Sequence, residues 1–336
     1  MTASPETTAR QRGQRRRLPD FFIVGHAKSG TTALYEMLRR HPQIYMPEVK
    51  EPMFFARNAS SPPADPEART LEQTGRRSET LDQYLSLFDA AGADQRVGEA
   101  STFYLWSLIA PARIAQMQPR ARIIAILREP ASFLRSLHLQ AVQNGAESQR
   151  DLRAALELED ERRRGRKIPP NAHWPRALIY TDRVRYTEQL RRYAALFPRE
   201  QMLVLIYDDF KSENEATIRR VLRFLEVDDT APLELIRANP TVAVRSVRLE
   251  RIVRSLQAAE DPVSRSLKTT IRALSTSESR RRLLHPLRRR LLYADPKRPD
   301  DQLARELRAR FKPEVQALSE YLDRDLVSLW GYDDVS

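Results

Sequence analysis

The chain of 336 residues contains no cysteine. Disulfides, thiol nucleophiles and thiolate metal sites are therefore excluded. Long hydrophobic runs are missing as well: no apolar stretch approaches the ~18 residues that a membrane-spanning helix needs. Residues 1–19 carry Arg10, Arg12, Arg15, Arg16 and Arg17 with no apolar segment of signal-peptide length behind them. These absences predict a soluble, cytoplasmic protein. No His/Asp/Glu grouping has metal-ligand spacing, and no Gly-x-Ser-x-Gly turn marks a serine hydrolase. Glycine is scarce, with nine in the whole chain, so a place where it clusters is informative. What is present, 41% apolar and 30% charged residues, suits one large or two ordinary globular domains with a sizeable core.

The net charge of +12 is concentrated in two places. Residues 1–19 hold five arginines against Glu6, and residues 245–300 hold fifteen Lys or Arg against six Asp or Glu. The tail reads as a solvated, disordered arm. In the second stretch Arg245, Arg248, Arg251 and Arg254 follow at three-residue steps, which roughly share a helical face. A lid over a phosphorylated nucleotide, a contact for an anionic acceptor, carrier protein or membrane surface, and a plain solvated helix all fit it. A nucleic-acid-binding module is the competing class for the whole chain, but aromatics are sparse in this stretch.

The order of elements reads as α/β, with strands and helices alternating as in a doubly wound sheet, and no domain boundary is marked over 20–336. Phe21 to Val24 form a short apolar strand, and Ala33, Leu34, Met37 and Leu38 follow at helical spacing. Ile123 to Leu127 are apolar on successive residues, as in a strand covered on both faces. Helical patterns occupy Gln83–Phe88, Ile114–Met117, Thr187–Phe197 and Ile218–Leu225, and Met202–Tyr207 is a further strand. Asn58–Ser78 and Glu147–Pro170 read as polar or charge-rich excursions from the core.

Two of the nine glycines bracket the loop Gly25-His26-Ala27-Lys28-Ser29-Gly30-Thr31-Thr32, between the first strand and the first helix. Glycine at both ends of such a turn points to close backbone approach or positive φ. The free N–H groups at the helix start, with the hydroxyls of Ser29, Thr31 and Thr32, make an anion cradle. A nucleotide triphosphatase loop would read Gly-x4-Gly-Lys-Ser/Thr, whereas here the lysine stands two places before Gly30. The strand from Ile123 ends in Arg128, which suits a second phosphate better than a metal ion; Glu129 follows but precedes Pro130. A P-loop kinase is the runner-up enzyme on the same cradle.

The segment Phe21 to Leu38 resembles the 5′-phosphosulfate loop of sulfotransferases that use 3′-phosphoadenosine 5′-phosphosulfate. Ile123 to Ser136 is similar to their 3′-phosphate motif, in which a strand ends in Arg, a Pro follows two residues later and a Ser lies eight residues after the Arg; these are Arg128, Pro130 and Ser136. Lys50-Glu51-Pro52-Met53-Phe54-Phe55 resembles the Lys-Glu-x-x-Phe-Phe segment of carbohydrate and bacterial members, in which the glutamate serves as base. Ala304 to Trp330 resembles the closing helical segment of bacterial members. Many carbohydrate-acting relatives have Gly-Glu-Lys where this chain has Gly98-Glu99-Ala100, so a supporting lysine is absent and the acceptor class stays open.

The resemblance implies an α/β fold with a P-loop-like parallel sheet flanked by helices in a single domain with a helical, basic C-terminal portion, and transfer of a sulfuryl group to an acceptor hydroxyl or amine of a small molecule, carbohydrate or lipid, leaving 3′-phosphoadenosine 5′-phosphate, with no metal. It implies Lys28, Ser29, Gly30, Thr31 and Thr32 at the 5′ end of the donor, and Arg128 and Ser136 at its 3′-phosphate. Tyr180 aligns loosely with a nucleotide-contacting tyrosine and fits a core aromatic equally well. Lys28 is suited to stabilising charge on the leaving oxygen and Glu51 to accepting the acceptor proton. His26 and His138 are further candidates for the base, ranked below Glu51.

Overall fold

The computed structural model describes residues 16–56, 80–172, 174–236 and 301–335, with the backbone of a strand pair at 243–244 and 293–294. In chain order the elements are β1 (Phe21–Ile23), α1 (Thr31–Arg39), β2 (Ile44–Tyr45), α2 (Leu81–Ser86), β3 (Arg96–Ala100), α3 (Ala110–Met117), β4 (Arg122–Leu127) and α4 (Pro130–Gln143). There follow α5 (Leu152–Glu157), α6 (Glu159–Arg163), α7 (Tyr186–Ala194), β5 (Met202–Ile206), α8 (Tyr207–Ser212) and α9 (Asn214–Leu225). The chain closes with β6 (Ala243–Val244), β7 (Tyr293–Ala294), α10 (Asp301–Leu322) and α11 (Leu326–Leu329). The described residues within 16–134, 180–236 and 307–335 belong to one compact unit, and those within 135–179 and 301–306 to a second.

The first unit is built on a five-stranded sheet in the order β2-β3-β1-β4-β5, with every neighbouring pair parallel. β4 lies inside the sheet between β1 and β5, and its residues Ile123 to Leu127 are at most 1% exposed, which explains why they are apolar without alternation. α9 places Ile218, Val221, Leu222 and Leu225 in one core with Leu34, Met37 and Leu38 of α1. Each such side chain contributes about 1.5–3 kcal/mol by leaving water. β3, with Gly98 and Glu99 inside it, carries no apolar run and was not among the expected strands. Its glycine has a packing reason: a Cβ at Gly98 would lie 2.1 Å from the Phe21 ring and 2.4 Å from Met46 Sδ.

Arg16 and Arg17 correct the expectation of a disordered arm through residue 19. Arg17 donates to Gln95 O at 2.7 Å and pairs with Asp20 at 3.4 Å, while Arg16 pairs with Asp82 at 3.4 Å. Residues 1–15 of the arm, the Asn58–Ser78 stretch, and the proposed basic lid at 245–300 apart from the β7 backbone lie outside the described residues. No described helix is long and apolar enough to cross a membrane.

The second unit revises the reading of Glu147–Pro170 as an excursion, because that segment folds into α5 and α6. Arg162, the first of three consecutive arginines, is buried with Glu147, and the pair meets at 2.8 and 2.9 Å. Arg162 also donates to Leu178 O at 3.2 Å. A buried charge stripped of its partner is costly, so Glu147→Ala is expected to lower stability by about 3–5 kcal/mol. Chemical denaturation read by circular dichroism checks this, and a loss below about 1 kcal/mol, the scale of an exposed pair, would contradict it.

Candidate active site

At the carboxyl end of β1 the chain turns at Gly25, where a Cβ would stand 2.5 Å from Ile126 N. The loop ends at Gly30, which caps α1 with φ 91°, a left-handed geometry that disfavours any side chain. A Cβ there would also meet the Phe210 ring at 3.0 Å. Lys28 adopts φ 67° without being glycine, a strained conformation that tends to mark functional sites. Thr31 and Thr32 open α1, whose first turn receives no side-chain cap, so its N–H groups are available to an anion. Ser29 Oγ is buried with no hydrogen-bond partner among the described residues.

Arg128 follows β4 and reaches this loop directly. Its Nη1 donates to Lys28 O at 3.0 Å, its guanidinium lies 4.9 Å from the centre of the Tyr207 ring, and its own carbonyl accepts from Tyr186 OH at 3.0 Å. Among the described residues neither Lys28 nor Arg128 has a carboxylate partner. Burial, and then the Arg128 charge, hold the Lys28 ammonium below the usual lysine pKa. Glu129, the acid weighed above as a substitute metal ligand, is engaged at the start of α4. It accepts from Ala131 N at 3.0 Å, Ser132 N at 2.6 Å and Tyr332 OH at 2.6 Å.

Glu51 stands on a second strained segment, with φ 62° at Glu51 and 54° at Met53. Its N–H donates to Ala100 O at 2.9 Å, and Lys50 Nζ lies 2.7 Å from its Oε1. Beneath the segment is Glu99, fully buried, which accepts from Tyr84 OH at 2.6 Å, Ser101 Oγ at 2.6 Å and Tyr104 OH at 3.2 Å. Burial pushes its pKa up to about 7, the three hydroxyls oppose that shift, and the Glu51 charge adds to it. Between the unfolded value near 4.5 and about 7, the folded chain holds a proton that the unfolded chain has released. This group therefore stabilises the fold fully below that window and loses its contribution as pH rises through it. Stability is expected to fall from pH 5 to pH 8 by on the order of 3 kcal/mol from this group. Denaturation curves at both pH values check this; an unchanged pH slope in Glu99→Gln would remove Glu99 as its source.

Arg183 sits in the short turn Tyr180–Val184 and is 2% exposed. Its guanidinium lies 4.5 Å from the Trp106 ring centre and 5.3 Å from that of Phe103, and its Nε has no hydrogen-bond partner among the described residues. Burial lowers its pKa to about 9, while Tyr186 and Glu51 act in the opposite direction. The group thus remains a cation at neutral pH. His26 is fully buried, with Nε2 2.8 Å from Gln189 Oε1 and its ring 4.9 Å from that of Phe133. Burial, and then the Arg183 charge, hold it well below the usual histidine pKa, so it is neutral and ties the loop to α7. Tyr180 is fully buried. Ser136 and His138 belong to the second unit, both on α4 and both 2% exposed; His138 Nε2 lies 2.8 Å from Gln149 O.

A family model described as the sulfotransferase family matches residues 19–231. The chain belongs to that family. Mouse (Mus musculus) carbohydrate sulfotransferase 15 is 26% identical to it over 259 residues, covering 62% of this chain and 44% of the relative. Mouse bifunctional heparan sulfate N-deacetylase/N-sulfotransferase 4 is 26% identical over 218 residues, covering 62% of this chain and 22% of the relative. The chain thus spans less than half the length of these curated relatives. The crystal structure of a sulfotransferase from Alicyclobacillus acidocaldarius aligns with a TM-score of 0.64 at 26% identity, covering 94% of this chain and 99% of that one.

In this sulfotransferase-family chain the structure brings Lys28 and Arg128 together, and puts Glu51 next to the end of β3. Sequence reasoning missed Tyr186, Arg183, Gln189 and the part played by Glu99. Tyr186 opens the helix after Tyr180, and an aromatic at that position was the available signal. Nothing local marks Arg183 or Gln189, whose partners lie at residues 26, 103 and 106.

Proposed function

We propose that this chain transfers a sulfuryl group from 3′-phosphoadenosine 5′-phosphosulfate to a hydroxyl or amine of a carbohydrate acceptor. The single observation that carries the reading is that the Arg128 guanidinium sits on the Lys28 main-chain oxygen and its charge acts on the Lys28 ammonium, with no carboxylate partner for either among the described residues. Two close cations repel, and an anionic ligand with phosphate groups at both ends relieves that repulsion. The donor set fits such a ligand: a left-handed Gly30, an uncapped first turn of α1 and the unpartnered hydroxyl of Ser29. The nucleotide supplies an activated sulfuryl group on an anionic leaving group.

In this reading Lys28, Ser29, Gly30, Thr31 and Thr32 hold the 5′ end, and Lys28 stabilises the charge that grows on the leaving oxygen. Arg128 takes the 3′-phosphate; for Ser136 and Tyr180 the proposal rests on the motif resemblance alone. Glu51 accepts the acceptor proton. Its Oε1 is held by Lys50, and its Oε2 makes no hydrogen bond among the described residues, which leaves a lone pair for that proton. The carbohydrate class is supported by the named relatives.

Isothermal titration with 3′-phosphoadenosine 5′-phosphate, and transfer from the sulfur-labelled donor to a panel of oligosaccharides, phenols and lipid-linked sugars, test the reading. Nucleotide binding and labelled oligosaccharide are expected. Magnesium-dependent ATP turnover with no response to the sulfated nucleotide would overturn it in favour of a kinase, and labelling of phenols alone would overturn the acceptor class.

A further inference from the structure

The segment carrying Glu51 does not hold its shape unaided. Left-handed φ at two non-glycine residues, Glu51 and Met53, costs about 1–3 kcal/mol each, so something outside the segment must fix it. Three backbone donors are tied down: Glu51 N to Ala100 O at 2.9 Å, Met53 N to Ser101 Oγ at 3.1 Å, and Phe55 N to Tyr104 Oη at 3.2 Å. The last two acceptors are hydroxyls, and each hydroxyl has a single hydrogen to place. Both place it on Glu99: Ser101 on Oε1 at 2.6 Å and Tyr104 on Oε2 at 3.2 Å, with Tyr84 OH as a third donor at 2.6 Å. Once ionised, above about pH 7, Glu99 accepts from all of them without offering a hydrogen of its own. Such an arrangement orients both hydroxyls so that their lone pairs face Met53 and Phe55.

We propose that Glu99 is a positioning residue, which through the Ser101 and Tyr104 hydroxyls braces the strained segment and so aims the Glu51 carboxylate. The inference rests on the reading of Glu51 as the base. It also gives a purpose to the glutamate of the Gly98-Glu99-Ala100 stretch, which the donor-binding assignment leaves unused. A glutamine at 99 has the same shape but an NH2 group that must donate, so one relay hydroxyl loses its acceptor and turns.

The test compares Glu99→Gln with the parent at pH 8.5, where Glu99 is ionised, by amide hydrogen exchange, by titration with 3′-phosphoadenosine 5′-phosphate, and by release of labelled sulfate from the donor with water as acceptor. Exchange at the Met53 and Phe55 amides is expected to quicken by about tenfold, the effect of losing one buried hydrogen bond, while the β4 amides Ile123–Leu127 keep their protection. Sulfate release is expected to drop with nucleotide affinity unchanged, a split that a merely structural role would not give. Unchanged exchange at both amides, or uniform loosening that includes β4, overturns the proposal. Should Glu99→Gln fail to fold, Ser101→Ala is expected to quicken Met53 alone and Tyr104→Phe to quicken Phe55 alone; no such selectivity overturns it equally. If Glu51→Gln leaves sulfate release intact, the reading of the base fails, while the exchange pattern still decides whether Glu99 braces the segment.

Discussion

Glu51→Gln is expected to lower sulfuryl transfer by about 10²- to 10⁴-fold, the range over which a positioned general base acts. The substitution keeps the side chain's size but removes the lone pair and the charge that accept a proton. Lys50 at 2.7 Å and Ala100 O at 2.9 Å hold the residue from both sides, and neither contact involves the Lys28 loop. Nucleotide affinity should therefore stay close to the parent's. Single-turnover rates with labelled donor, set beside the titration, separate the two quantities. An equal loss in affinity and rate would mean that Glu51 contributes to donor binding rather than to proton removal, and undiminished transfer would take the base role away from it.

Arg128→Ala carries the second large expectation, a weakening of 3′-phosphoadenosine 5′-phosphate binding by about 10- to 100-fold, as the loss of a charge-assisted hydrogen bond implies. Two effects combine. The proposed guanidinium contact to the 3′-phosphate is removed, and so is the 3.0 Å bond from Arg128 to Lys28 O that helps hold a left-handed lysine in place. Removing the neighbouring charge also lets the Lys28 pKa rise toward its ordinary value, because that charge is a cause of its depression. Loss of affinity as pH rises through the lysine titration should then begin at a higher pH in the variant than in the parent. Arg128→Lys is expected to recover only part of the affinity, since an ammonium lacks the planar fork. Titrations at several pH values measure both effects, and affinity equal to the parent's would remove Arg128 from the nucleotide site.

Much of the first unit was legible in the sequence for a local reason. The strand, glycine-bracketed turn and helix at 21–39 are each specified by contiguous residues, as are β4 with its five successive apolar positions and α9 with its helical stripe. β3 was not legible. Gly98 and Glu99 break its apolar pattern, and both make sense only beside Phe21 and Met46 on one side and Tyr84 and Tyr104 on the other. The charge-rich 147–170 stretch failed as a loop for the same reason: Arg162 counts as solvated until Glu147 is placed against it. Of the site residues, Lys28 and Arg128 were legible as motif members, whereas the strain at Glu51 and the burial of Arg183 against Trp106 and Phe103 were not.

By itself the sequence determined the class of fold, the presence of a glycine-bracketed strand-to-helix turn and the identities of the charged groups around it. These follow from spacing along the chain, because glycine conformations, strand and helix periodicity and the charge on a side chain are properties of neighbouring residues. Tertiary structure alone decided which charges lack a partner, which carboxylate is buried among three hydroxyls, and which strained segment they hold. Those properties depend on solvation and on contacts between residues 26 and 189, 51 and 100, 84 and 99, or 28 and 128. Burial and pairing set a group's free energy, and both are fixed only when distant stretches of chain meet.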